Sequence, residues 1–166
     1  VDKAAIFELQ KEKYFIYEGY HHSNCLTCID EEPPLEVNKE ALDIVLQVAL
    51  LLNAKPVSKV QFMRKIVIDG SNITSFQRTA LIATDGYIET TLGKVRISSV
   101  CLEEESAKKL ETTEEYVKYN ISRLGIPLIE IATEPDIKTP EHAKETAEKI
   151  GMILRDSYGI PKASMF

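Results

Sequence analysis

Cysteine is scarce in this chain, and no stretch of about eighteen residues or more is apolar enough to cross a membrane as a helix. The three cysteines, two of them in Cys25-Leu26-Thr27-Cys28, are too few and too local for the disulfide framework of a secreted domain, so reduced thiols are expected. The N-terminus lacks the basic and then apolar pattern of a secretory signal, and these absences together point to the cytoplasm. Basic side chains are outnumbered, 20 against 26 acidic ones, for a net charge of −6. That balance argues against a broad phosphate-gripping surface for nucleic acid. No glycine-rich loop with the lysine of a Walker pattern occurs, which excludes an ordinary P-loop, and no Gly-x-Ser-x-Gly accompanies His142. Internal repeats and low-complexity tracts are absent too.

What remains is globular: 166 residues, 44% hydrophobic and 28% charged, suit one domain with a real core. Val1 is no initiator methionine, and Ser164-Met165-Phe166 stops on apolar residues, so the chain reads as a piece of a longer one. Apolar edges exposed by such a cut would invite a homodimer.

Aromatic and β-favouring residues at 13–20, with 25–29, suggest two short strands around His21-His22-Ser23-Asn24. Asn38 can cap a helix over 39–52 whose polar positions, Glu40, Asp43 and Gln47, form a narrow stripe. Burial on most sides is expected of it, with Pro56 closing the element. A strand at 60–68, an irregular segment at 69–75 and a strand from Phe76 to Ala83 follow, and Asp85-Gly86 is a hairpin signal. Gly93 marks a turn before a strand from Lys94 to Leu102, giving three neighbouring antiparallel strands. A charged helix is expected over 105–118, a strand over 126–132, and a helix begun by Thr139-Pro140-Glu141 with Ala143, Ala147, Ile150 and Leu154 on one face. Gly159 and Pro161 would end it. The class is α+β, a mostly antiparallel or mixed sheet flanked by helices.

Two acidic features carry the chemistry. Glu103-Glu104-Glu105 closes one apolar strand, and Glu130 sits inside Ile126-Pro127-Leu128-Ile129-Glu130-Ile131-Ala132, where a carboxylate would lose its hydration unless a cation replaced the water. A hard cation such as Mg²⁺ does that. Strand alternation puts Glu104 on the face of Leu102 and Glu130 on that of Leu128, so if the strands are neighbours both carboxylates could share one ion, with Glu103 turned away. The plainer alternative is a solvated helix start at 103–105 and a Glu130 paired with Arg123 or a lysine. Arg64-Lys65 before Asp69-Gly70-Ser71-Asn72 suits an anionic phosphate or carboxylate, or else is a turn with flanking surface charge. Arg123 leads into the Glu130 strand, or bridges to Asp136. His21-His22 with Cys25 and Cys28 could nominally hold zinc, against which stands a turn with two buried thiols.

The run Gly125-Ile126-Pro127-Leu128-Ile129-Glu130-Ile131-Ala132-Thr133-Glu134-Pro135-Asp136, with Leu102-Glu103-Glu104-Glu105 and Tyr119-Asn120, resembles the catalytic cradle of the B/E subunits of tRNA-dependent amidotransferases. Met63-Arg64-Lys65-Ile66-Val67-Ile68-Asp69-Gly70-Ser71-Asn72, Phe76-Gln77-Arg78-Thr79 and Asp30-Glu31-Glu32-Pro33-Pro34 are similar to the archaeal E type. The resemblance runs to about residue 155 and implies a single, partial cradle domain over 1–166 with a divergent tail at 157–166. It implies an ATP-dependent ligase: ATP activates the side-chain carboxyl of glutamate on the glutamine tRNA as an acyl phosphate, and ammonia from a D-type amidase subunit displaces phosphate to give glutaminyl-tRNA. Glu104 and Glu130 are then the implied Mg²⁺ ligands, with Arg64, Lys65 and Arg123 toward the phosphate. A third implied ligand, the histidine of a Gly-Leu-Glu-x-His motif, is not in this sequence, and Ser75 stands where the family usually has glycine before Phe-Gln. The family's tRNA grip lies in later segments, so this polypeptide alone is expected to show no turnover and weak or no Mg²⁺ binding. The alternative, from a different class, is a stand-alone binding module, zinc-holding through Cys25 and Cys28, or a non-catalytic relic of the fold.

Overall fold

The computed structural model describes residues 3–20, 22 and 25–158. In chain order the elements are α1 (Lys3–Leu9), β1 (Tyr14–Glu18), α2 (Lys39–Leu51), β2 (Lys55–Pro56), β3 (Phe62–Ile66), β4 (Phe76–Thr90), β5 (Gly93–Glu104), β6 (Lys108–Thr112), β7 (Tyr116–Asn120), β8 (Pro127–Thr133) and α3 (Pro140–Tyr158). One sheet has the order β1-β7-β6 and another β2-β4-β5-β8 with β3 on β4, so the fold is α+β with mixed and antiparallel pairing. The chain divides into two compact units: Val1–Glu36, Met63–Thr79 and Glu103–Leu128 form the first, and Val37–Phe62, Ala80–Leu102 and Ile129–Phe166 the second.

In the first unit β1 lies parallel to β7, from Tyr14↔Tyr116 to Glu18↔Asn120, and β6 runs antiparallel on the other side. The helix expected over 105–118 is therefore two strands. Alternation decides it: Val117 and Tyr119 point inward onto Ala107 and Ile121, while Tyr17, Ile29, Ile73 and Leu124 close around them. The Thr113 hydroxyl accepts the amides of Glu115 (3.2 Å) and Tyr116 (3.0 Å), turning the chain where a helix would have continued. Residues 25–29, expected as a strand, form a turn in which the amides of Cys28 and Ile29 donate to the Cys25 carbonyl. His21, Ser23 and Asn24 lie outside the described residues.

Two phenols fasten the 69–72 loop to this sheet. Tyr119 donates to the Asp69 carbonyl and Tyr17 to that of Gly70, each at 2.6 Å, and burial pushes the Tyr119 phenol up to about 12. Gly70 has φ +84°, and a Cβ there would stand 2.5 Å from the Phe15 ring. Only glycine fits.

In the second unit Asn38 caps α2, its side-chain oxygen accepting the Ala41 amide at 3.0 Å. Val45, Val48 and Ala49 face the core with Leu52, but Leu50 and Leu51 are 62% and 51% exposed, so α2 is buried on one side rather than most. Asp85-Gly86 makes no hairpin: β4 runs through it, and the turn is Thr91-Leu92. Gly86 serves a close approach, since a Cβ would lie 2.8 Å from the Leu52 carbonyl and 2.9 Å from the Ala54 Cβ. Asp85 absorbs the irregularity at φ 56°. Thr139 caps α3 through the His142 amide (3.2 Å), as its sequence implies. The inner face of α3 carries His142, Thr146, Ile150, Ile153 and Leu154, whereas Ala143 is exposed, so the apolar stripe is displaced from the expected one. Gly159 and Pro161 lie outside the described residues.

Candidate active site

The first unit gathers three ion pairs where β5 ends. Glu103, Glu104 and Glu105 are consecutive, and each meets a cation from a different segment: Lys65 of β3 at 3.5 Å, Arg78 of β4 at 3.0 Å, and Arg123 of the loop after β7 at 2.7 Å. Three like charges in sequence would repel one another without such partners.

Glu103, expected to turn away, is the most buried of the three at 3% side-chain exposure. Its Oε1 accepts the Thr79 hydroxyl at 3.0 Å and faces Lys65 Nζ, whose side chain is half exposed. A carboxylate this buried needs both contacts, because an unpaired buried charge costs several kcal/mol on the order of magnitude seen for broken buried pairs.

Glu104 is less enclosed. Burial raises its carboxyl above the ordinary value while Arg78 pulls the other way. Arg78 Nε lies 3.0 Å from Glu104 Oε1 but without the alignment of a hydrogen bond, so charge rather than direction holds the two together. The guanidinium is anchored elsewhere, Nη1 donating to the Leu35 carbonyl at 2.6 Å. The Glu104 backbone is fixed by the Gln77 side-chain amide, whose Nε2 donates to its carbonyl at 2.6 Å.

Arg123 grips Glu105, Nε at 3.0 and 2.9 Å from the two oxygens and Nη2 at 2.7 Å. Its partner is thus neither Asp136 nor Glu130. Asp136 belongs to Arg96 in the second unit, whose guanidinium holds that carboxyl well below the usual range. Arg64 is exposed, its guanidinium 4.8 Å from the centre of the Phe76 ring.

Glu130 stands on β8 in the second unit. Ile129 and Ile131 turn into that unit's core, while Ile126, Leu128 and Glu130 form the exposed alternate set. The desolvation expected for Glu130 from its apolar neighbours is therefore not met: alternation separates it from the two isoleucines it adjoins.

Glu104 is a half-buried oxygen anion whose charge is already balanced by the Arg78 guanidinium at 3.0 Å. Among the described residues no three His, Cys, Asp or Glu side chains gather as a metal-binding group. Cys25 and Cys28 are joined as a disulfide, contrary to the reduced thiols expected, and Cys25 is exposed rather than buried. The turn that brings their Cα atoms to 5.4 Å explains the pairing, and joined sulfurs offer no thiolate to zinc.

Residues 10–165 match the sequence pattern of the GatB/GatE catalytic domain. The chain belongs to this family. It is 57% identical over 155 residues to the E-type subunit of the glutamyl-tRNA(Gln) amidotransferase of Methanocaldococcus jannaschii, an alignment covering 93% of this chain and 25% of that protein. The E-type subunits of Methanococcus maripaludis (53% over 155 residues, 93% and 25%) and Methanosarcina acetivorans (54% over 156 residues, 94% and 24%) are similarly close. The chain spans about a quarter of the length of the curated relatives it matches.

At Ser75, where the family's glycine was expected, φ is 61°: the loop has the left-handed shape that glycine favours, and serine bears the strain. Its carbonyl accepts the Val67 amide at 3.0 Å, closing the loop between β3 and β4. Sequence reasoning did not single out Gln77, Arg78 and Thr79 for the site. Their signal was available, three polar side chains at the start of a strand that goes on to become apolar.

Proposed function

We propose that this chain contributes the carboxyl-activating part of the E-type subunit of a glutamyl-tRNA(Gln) amidotransferase. The side-chain carboxylate of glutamate carried on the glutamine tRNA attacks the terminal phosphorus of ATP, and ADP leaves. Ammonia from a partner amidase subunit then attacks the acyl carbon, phosphate departs with its electron pair, and glutaminyl-tRNA remains. Glu104 and Glu130 are each kept as candidate carboxylates for Mg²⁺, an ion that when bound would neutralise charge on the transferring phosphoryl group. Lys65, oriented by the buried Glu103, and Arg64 are assigned to the nucleotide phosphates, and Arg123, held by Glu105, to the same anionic side.

The observation that carries this reading is the run Glu103-Glu104-Glu105 with a separate cation for each carboxylate, in a chain whose relatives bear the name of that enzyme. Two anions, a carboxylate and ATP, have to meet in such a site, and paired charges of both signs are the means of bringing them together. The acidic balance of −6 agrees with tRNA being gripped by other parts of the full-length protein, and a cytoplasmic setting follows from the substrate.

The test is Glu130→Gln in the full-length protein assembled with its amidase. ADP release that depends on glutamyl-tRNA, and glutaminyl-tRNA formation, should both fall on the order of a hundredfold or more, as for loss of one electrostatic element. Hydrolysis of glutamine by the amidase should persist. Unchanged amide formation would remove Glu130 from the mechanism.

A further inference from the structure

We propose that Cys25 and Cys28 form a thiol–disulfide exchange site, in which Cys25 makes the covalent bond to a partner disulfide and Cys28 resolves it. The inference is independent of the carboxyl-activating reading and uses none of the residues assigned there.

The pair sits on a tight turn of the first unit whose backbone holds itself together. The Ile29 amide donates to the Cys25 carbonyl at 3.3 Å, that of Asp30 to the Thr27 carbonyl at 3.2 Å and that of Glu31 to the Leu26 carbonyl at 2.9 Å. Ile29 packs against Ala107, Val117, Tyr119 and Ile121, which ties the turn to the core of the unit. None of these contacts passes through sulfur. Breaking the S–S bond therefore leaves the turn standing, with the two Cα atoms 5.4 Å apart and within bridging distance. A disulfide that opens without unfolding its surroundings can close again.

The two sulfurs are not equivalent. Cys25 is exposed, whereas Cys28 is half-buried and its sulfur lies against Gly125: a Cβ on that glycine, at φ +84°, would fall on the Cys28 sulfur. A partner therefore reaches Cys25 first. The Cys28 amide donates to Cys25 Sγ at 3.1 Å, a bond that strengthens when this sulfur is a thiolate, because hydrogen bonds to charged acceptors are the stronger ones. Attack needs the thiolate, and the exposed, hydrogen-bonded sulfur is the one placed to supply it. From the reduced pair, the Cys25 thiolate attacks one sulfur of a partner disulfide; the partner's S–S bond breaks, its electron pair leaves on the other sulfur, and a mixed disulfide remains. Cys28, its proton lost to solvent, then attacks Cys25 Sγ and releases the second partner sulfur as thiolate. The pair has given up two electrons and two protons, the partner disulfide has become two thiols, and the product is the Cys25–Cys28 bond of this structure. The same steps in reverse reduce the pair at the expense of two partner thiols.

The probe is neutral, 2-mercaptoethanol with hydroxyethyl disulfide, so that the carboxylates of Asp30, Glu31 and Glu32 neither attract nor repel it. This chain is equilibrated at a series of ratios of the two, quenched by alkylation and read by intact and peptide mass. Cys25 and Cys28 should convert together between both alkylated and neither, in both directions. In Cys28→Ser one mercaptoethanol should remain on Cys25. In folded Cys25→Ser uptake at Cys28 should be slower by about tenfold or more, the order set by thiolate stabilisation and access together. Cys28→Ala and Cys25→Ala carry the same expectations should a serine variant not fold. A pair locked in one state at every ratio, or uptake at Cys28 as fast as at Cys25, would overturn the inference.

Discussion

Thr79→Val isolates what keeps Glu103 buried. The two side chains have nearly the same shape, so the substitution removes one donor, the hydroxyl 3.0 Å from Glu103 Oε1, and leaves the packing alone. A hydrogen bond to a charged acceptor contributes about 1.5–3 kcal/mol. Lys65 Nζ faces the same oxygen at 3.5 Å and can close on it, which places the expected loss toward the lower end, about 1.5–2 kcal/mol. With a urea dependence of about 2 kcal/mol per molar, the unfolding midpoint should fall by about 0.8–1 M. Thr79→Ser keeps the hydroxyl and loses a methyl, about 0.8 kcal/mol, so valine should cost roughly twice what serine does. In a cycle with Glu103→Gln the two substitutions should couple by about 1 kcal/mol, because neutral glutamine draws less from the donor. A valine variant as stable as the parent, or no worse than the serine variant, would refute the assignment of Thr79 as the donor that makes this burial tolerable.

The Glu104 carboxyl is raised by burial, with Arg78 opposing, and a carboxyl raised in the folded state supports the fold fully while protonated and loses that support as pH rises through its folded value. Glu104→Gln should accordingly gain on the parent in urea unfolding as pH rises upward from the ordinary glutamate range, and a difference that stays flat with pH would contradict the shift. Ser75→Gly should stabilise by about 1 kcal/mol, since serine at φ 61° carries a left-handed penalty that glycine does not; a thermal unfolding midpoint that drops would show that the serine side chain is needed there.

Where one local signal acted alone, the sequence was readable. Asn38 before an apolar stretch and Thr139-Pro140-Glu141 each start a helix as their side chains dictate. Where two signals competed, the tertiary setting chose. Asp85-Gly86 has the composition of a turn, but its glycine is there to let β4 pass the Leu52 carbonyl. The 105–118 segment has the charge of a solvated helix, yet Val117 and Tyr119 fall two apart and the unit needs both in its core. The acidic run was visible from the start; the identity of its partners was not. Lys65, Arg78 and Arg123 come from three segments distant in sequence, and no spacing rule connects them to Glu103, Glu104 and Glu105.

That pairing bears on how a cation could act at this strand end. Had Glu103 to Glu105 been unpaired, a divalent ion would have been absorbed by three negative charges, leaving the place anionic and hostile to ATP. With Lys65, Arg78 and Arg123 in place the three carboxylates are already balanced, one for one, so every positive charge brought in is a net gain. On the proposed function, a cation brought to this strand end would leave it net positive, which is the sign that a transferring phosphoryl group and an attacking carboxylate both require. Neutralising any one of the three cations should raise the affinity for a divalent ion and lower the capacity to hold the nucleotide. The two effects separate only if both ligands are titrated.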